Sequence, residues 1–76
     1  NMPVKGKKAK EYMDAFYARF FEKSKSLLAE DGIIIMYSNE VGFVKKQLRL
    51  QPCYRLIQEY TIRKKDSYCL FIIGMK

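Results

Sequence analysis

The 76-residue chain contains no histidine. Without an imidazole, a serine or cysteine nucleophile has no base of the usual kind, and neither cysteine has a polar partner nearby in sequence, so a serine or cysteine hydrolase is set aside. Only two cysteines occur, Cys53 and Cys69. Their spacing is not that of metal ligands and no histidine completes a zinc site, so no metal ligand is assigned. The apolar neighbourhood of Cys69, running Tyr68-Cys69-Leu70-Phe71-Ile72-Ile73, predicts a buried thiol inside a strand. That suits a reducing cytosol, and a cytoplasmic location is expected. The longest apolar run is far short of the roughly 20 residues that cross a bilayer as a helix, so no membrane partner is expected, and no signal peptide is visible. Acidic residues are also scarce: eight, against fifteen Lys and Arg, leave a formal net charge of +7. Such a balance attracts polyanions such as nucleic acid or an anionic membrane surface.

What is present is a core-forming composition. Apolar residues make up 49% of the chain, with six Tyr and five Phe spread along its length. A sequence of this kind folds into one small domain, spanning 1–76, rather than remaining disordered. The positive charges gather at Lys5, Lys7, Lys8 and Lys10, and again at Arg63, Lys64 and Lys65, which predicts two basic surfaces.

From Lys10 to Ala29, apolar residues at Met13, Phe16, Tyr17, Phe20, Leu27 and Leu28 follow helical spacing, and this predicts one long amphipathic helix. Tyr12, Phe16, Tyr17, Phe20 and Phe21 are expected to be core, and Gly32 to end the helix in the left-handed conformation. Gly32 to Ser38 is apolar without alternation, as in an inner strand covered on both faces. Ser38 or Asn39 is expected to cap a second, shorter helix carrying Val41, Val44 and Leu48, which Pro52 terminates. Tyr54, Leu56, Tyr60 and Ile62 alternate with polar residues and predict an edge strand with one wet face. The turn at Lys64-Lys65-Asp66-Ser67 leads to a last strand, Tyr68 to Met75, apolar on both faces and therefore expected inside the sheet.

The predicted architecture is α/β: a three-stranded mixed sheet of order 1-3-2, the last strand antiparallel and central, with two helices. This succession resembles the C-terminal half of class I, Rossmann-like S-adenosylmethionine-dependent methyltransferases, whose final strand slips in antiparallel between its two predecessors. The resemblance covers essentially the whole chain. Asn1-Met2-Pro3-Val4 is similar to the Asn/Asp-Pro-Pro-aromatic motif of amino-methyltransferases, most closely to the Asn-Leu/Met-Pro variant of RNA methylases that accompany THUMP domains. Lys5-Gly6-Lys7-Lys8 matches the loop that follows, and Leu28-Ala29-Glu30-Asp31-Gly32 resembles the bend before the fifth strand.

The resemblance implies a parent enzyme that methylates an exocyclic amine of a nucleic-acid base, RNA more than DNA. In that family hydrogen-bond acceptors hold the amine with its lone pair aimed at the sulfonium methyl. Asn1 would supply a side-chain oxygen and Met2 a backbone carbonyl, with Pro3 fixing the loop. Val4 departs from the pattern, since an aromatic residue there would stack on a flipped base. Lys5, Lys7, Lys8 and Lys10 would meet the phosphates of the RNA. The glycine-rich loop that cradles the cofactor belongs to the other half of such a fold, and Gly6, Gly32, Gly42 and Gly74 are scattered singly, so no cofactor-binding residue is assigned and the piece alone is expected to be inactive. Truncation would also bare the edge of Gly32 to Ser38 and invite self-association. The alternative reading is a stand-alone basic α/β module that binds nucleic acid or a partner without catalysis.

Overall fold

The computed structural model describes residues 6–63 and 65–76. Helix α1 spans Lys7–Leu27, strand β1 Ile33–Ser38, helix α2 Val41–Leu50, strand β2 Tyr54–Arg63 and strand β3 Tyr68–Met75. The strands form one sheet of order β1-β3-β2. The expected order and the central last strand are both present, and both ladders are antiparallel. The sheet is therefore not mixed in its pairing. β1 and β2 run parallel to each other, but β3 lies between them, so no parallel ladder forms.

Alternation along β3 explains why it takes the centre. Cys69, Phe71 and Ile73 are buried on one face, opposite Ser38, Met36 and Ile34 of β1. Tyr17 and Phe21 of α1, Val44 of α2 and Tyr54 of β2 join them in a single core cluster. Phe21 meets Tyr54 edge-on with ring centroids 5.1 Å apart, and the Tyr54 hydroxyl donates to the Phe21 carbonyl, which satisfies the one polar atom that the ring carries into the core. Cys69 is a buried free thiol, as expected.

The same parity leaves the opposite face of the sheet uncovered. Ile33, Ile35 and Tyr37 of β1 are 54%, 70% and 51% exposed, and Tyr37 stacks on Tyr68 with centroids 4.8 Å apart. β1 is thus an edge strand with one bare face, not the inner, doubly covered strand that its unbroken apolarity predicts. Apolarity on both sides records what a strand can bury, and within these residues nothing covers the second side.

Four further expectations are corrected. The predicted alternation in β2 is interrupted by register shifts between Leu56 and Gln58 and between Thr61 and Arg63. Each bulge moves the following residues to the other face, so Tyr60 lies opposite Leu70 on the bare face while Glu59 faces the helices. Glu59 there meets Lys45 at 3.1 Å. Among the α1 aromatics, Tyr17 and Phe21 are buried, whereas Tyr12 and Phe16 are exposed, because a helix lying on one sheet face buries only a narrow stripe. α1 ends at Leu27, and Gly32 has no positive φ. Its need for glycine is steric, since a Cβ would lie 3.0 Å from the Ala29 carbonyl oxygen and the Leu28 Cβ. Finally, α2 has Glu40 at its N-cap with no side-chain cap bond.

Candidate nucleic-acid interface

Because α1 runs back along the sheet, its first turn lies at the carboxyl end of β1, and α2 starts from that same end. The β2–β3 turn does too, since Ser38 pairs with Cys69 and Arg63 with Tyr68. Three loop-to-helix or strand junctions therefore converge on one edge, the usual place for a ligand in an open α/β sheet.

A buried network fixes this edge. The Tyr17 hydroxyl donates to Glu40 Oε1 at 2.8 Å and lies 2.9 Å from Ser38 Oγ. The Glu40 backbone N–H donates to Ser38 Oγ, also at 2.9 Å. One arrangement of protons satisfies all three bonds: Ser38 donates to Tyr17, and Tyr17 to the carboxylate. Burial pushes the Tyr17 hydroxyl above its ordinary pKa; the Ser38 bond opposes this, and the bond to Glu40 and the charge of its carboxylate reinforce it. The Tyr17 ring stacks in parallel on Phe43 of α2 with centroids 6.2 Å apart, and Lys46 reaches Asp14 of α1 at 2.9 Å. Together these contacts lock α2 onto α1.

Above the network opens a crevice of about 560 Å³, lined by Lys10 from α1, Asn39, Glu40, Val41, Gly42, Phe43, Lys46 and Arg49 from α2 and its approach, and Ser67 from the turn. Nothing lies within 4 Å of where a Cβ on Gly42 would stand. Lys10, Lys46 and Arg49 line the opening, Lys46 already paired with Asp14, beside Glu40, one of whose carboxylate oxygens is bonded to Tyr17. A second crevice of about 440 Å³ shares Arg49 and adds Lys45, Arg55 and Lys76. Basic surface thus continues around α2.

Of the residues singled out from sequence, Asn1, Met2, Pro3, Val4 and Lys5 lie outside the described residues. Lys7, Lys8 and Lys10 occupy the first turn of α1, all three exposed, and Lys10 lines the larger crevice. Asn39 lines it as well and does not cap α2. Lys10 and Ser67 face one opening; of the second basic cluster Lys65 is exposed in the β2–β3 turn, while Lys64 and the Arg63 side chain lie outside the described residues. Lys46 and Arg49 were missed. Their signal was legible in principle, since a spacing of three puts them on neighbouring positions of one helical face. Among the described residues no three His, Cys, Asp or Glu side chains come together as a metal group would need, and no helix is long and apolar enough to cross a membrane. No protein-family model, curated protein or solved structure matches the chain.

Proposed function

We propose that the chain is the C-terminal half of a class I S-adenosylmethionine-dependent methyltransferase domain whose target is an exocyclic amine on a base of RNA. The observation that carries this reading is the strand arrangement: β3 enters antiparallel between β1 and β2, which run parallel to each other and are joined through α2. The open edge of β1 supports it, since the preceding strand of such a domain would pair there.

The described glycines do not fit a cofactor cradle. Gly6 precedes α1, Gly32 precedes β1, Gly42 lies in α2 and Gly74 in β3, so no two of them share a loop. In this reading S-adenosylmethionine, the source of the methyl group, is held by residues outside 1–76. The part played by this chain is to present the substrate: Asn1 and the Met2 carbonyl accept hydrogen bonds from the amine, Pro3 keeps their loop rigid, and Lys5, Lys7, Lys8 and Lys10 attract the phosphates. Lys7 and Lys8, matched by the resemblance to the loop after the motif, lie instead in the first turn of α1, and Lys10 of the same turn lines the basic crevice.

In the full-length protein, transfer of labelled methyl groups to RNA should fall about a hundredfold in Asn1→Ala, the effect of losing one hydrogen bond worth about 3 kcal/mol in the transition state. Equilibrium dialysis should show cofactor affinity nearly unchanged. Full turnover in that variant would remove the role assigned to Asn1.

A further inference from the structure

The geometry points to a path for a polynucleotide backbone around α2, entered at the crevice between Lys10 and Arg49 and continuing through the second crevice toward Arg55 and Lys76. The inference rests on the nucleic-acid reading above and deepens it, because it assigns substrate contact to α2, an element that carries none of the motif.

Three observations converge on it. The two crevices share Arg49 and so adjoin along α2, with Lys10, Arg49, Arg55 and Lys76 lining them beside Lys46 and Lys45, which are paired with Asp14 and Glu59. A small anion would need only one of them; an extended chain of phosphates matches both. The start of α1 is also built against its own stability. Gly6 at its N-cap makes no side-chain cap bond, and no acidic residue occupies the first turn. Lys7, Lys8 and Lys10 instead stand where the helix dipole is positive, which disfavours them there. Phosphate groups at this end would offset both the dipole and the lysines.

The third observation is the turn. Ser67 adopts φ 59°, in the left-handed region that glycine occupies without cost. It nevertheless places a side chain with a hydroxyl at the rim of the crevice, where that group can donate to a phosphate oxygen. Lys65 is exposed in the same turn. Glu40, the acid on the rim, has one carboxylate oxygen bonded to Tyr17.

The test uses the full-length protein, a fluorescently labelled 12-nucleotide single-stranded RNA and a salt titration read by anisotropy. Lys10 and Arg49 are exposed, so Lys10→Gln with Arg49→Gln leaves the core intact. Two lost phosphate contacts should reduce the slope of log affinity against log salt by about 1.4, and affinity at 0.1 M salt by about 25-fold. The charge-matched control, Arg19→Gln with Lys23→Gln on the distal part of α1, should change binding little. Equal losses in both double variants would show that net charge alone attracts the RNA and would overturn the path. So would binding of the wild type to anionic vesicles in preference to RNA. Base methylation by the wild-type full-length protein separately decides the methyltransferase reading. An intact enzyme with an unaffected Lys10/Arg49 variant sinks only the path, whereas a path confirmed in a protein that never methylates RNA sinks only the enzyme.

Discussion

Tyr17 joins the core to the candidate interface. Its ring is buried between α1 and α2, while its hydroxyl orders Ser38 and Glu40 at the edge of the crevice. Tyr17→Phe keeps the ring and deprives a serine and a carboxylate of their partner, which should cost about 1–2 kcal/mol and lower the melting temperature by several degrees. Thermal unfolding followed by circular dichroism would measure this; an unchanged melting point would mean that water replaces the hydroxyl without loss. The raised pKa of Tyr17 gives a second prediction. In the unfolded chain the hydroxyl ionises around its ordinary value of 10.0, whereas the folded protein holds the proton to higher pH. The stabilisation is complete below pH 10 and is lost as pH climbs from there through the raised folded value. Tyr54, also raised chiefly by burial, acts in the same direction. Tyr17→Phe should flatten part of this alkaline decline, and identical slopes above pH 10 in wild type and variant would contradict it.

At the scale of elements, the glycines separate packing from conformation. Gly32→Ala forces a methyl group against the Ala29 carbonyl and Leu28 at 3.0 Å, and backbone cannot give way as a side-chain tip can. It should destabilise by about 1 kcal/mol or more. Gly42→Ala meets open space inside a helix and should stabilise by about 0.4–1 kcal/mol by restricting the unfolded chain. Urea midpoints of the two variants should move in opposite directions; a shared direction would contradict the packing described around Gly32. The five elements and the central position of β3 were legible in the sequence because periodicity reports how many faces of an element can be buried. Periodicity does not report whether a partner is present, and so β1 was read as an inner strand. Nor does it register a bulge: Tyr54, Leu56, Tyr60 and Ile62 look like one stripe, yet the register shift after Leu56 splits them between two faces. The crevice was half legible. Lys10 stood out beside the motif, but Arg49 and Ser67 reach the same opening only through the folding back of α1 and the hairpin.

At the scale of the whole molecule, the two sheet edges differ. β2 carries two bulges and the charged residues Arg55 and Glu59, features that discourage edge pairing. β1 has neither bulge nor charge from Ile33 to Ser38, and its flank is continuous with the exposed Phe16 of α1 across a groove that Ile35 and Met36 also line. A protein limited to residues 1–76 should therefore pair through β1, two copies running antiparallel about a two-fold axis, and light scattering at micromolar concentration should report a dimer or larger species. Ile35→Lys, on a side chain already 70% exposed, should restore the monomer without loss of helix signal. A folded wild-type monomer would contradict the open edge.

The central claim is that these residues present a base amine for methylation. Its most direct measurement is nucleoside mass spectrometry of RNA incubated with the full-length protein and S-adenosylmethionine. The account predicts one added methyl group on the exocyclic amine of a base, strongly reduced in Asn1→Ala and weakened in the Lys10→Gln, Arg49→Gln double variant. Methyl groups found only on ribose hydroxyls, or RNA bound through the α2 path yet never modified, would contradict it.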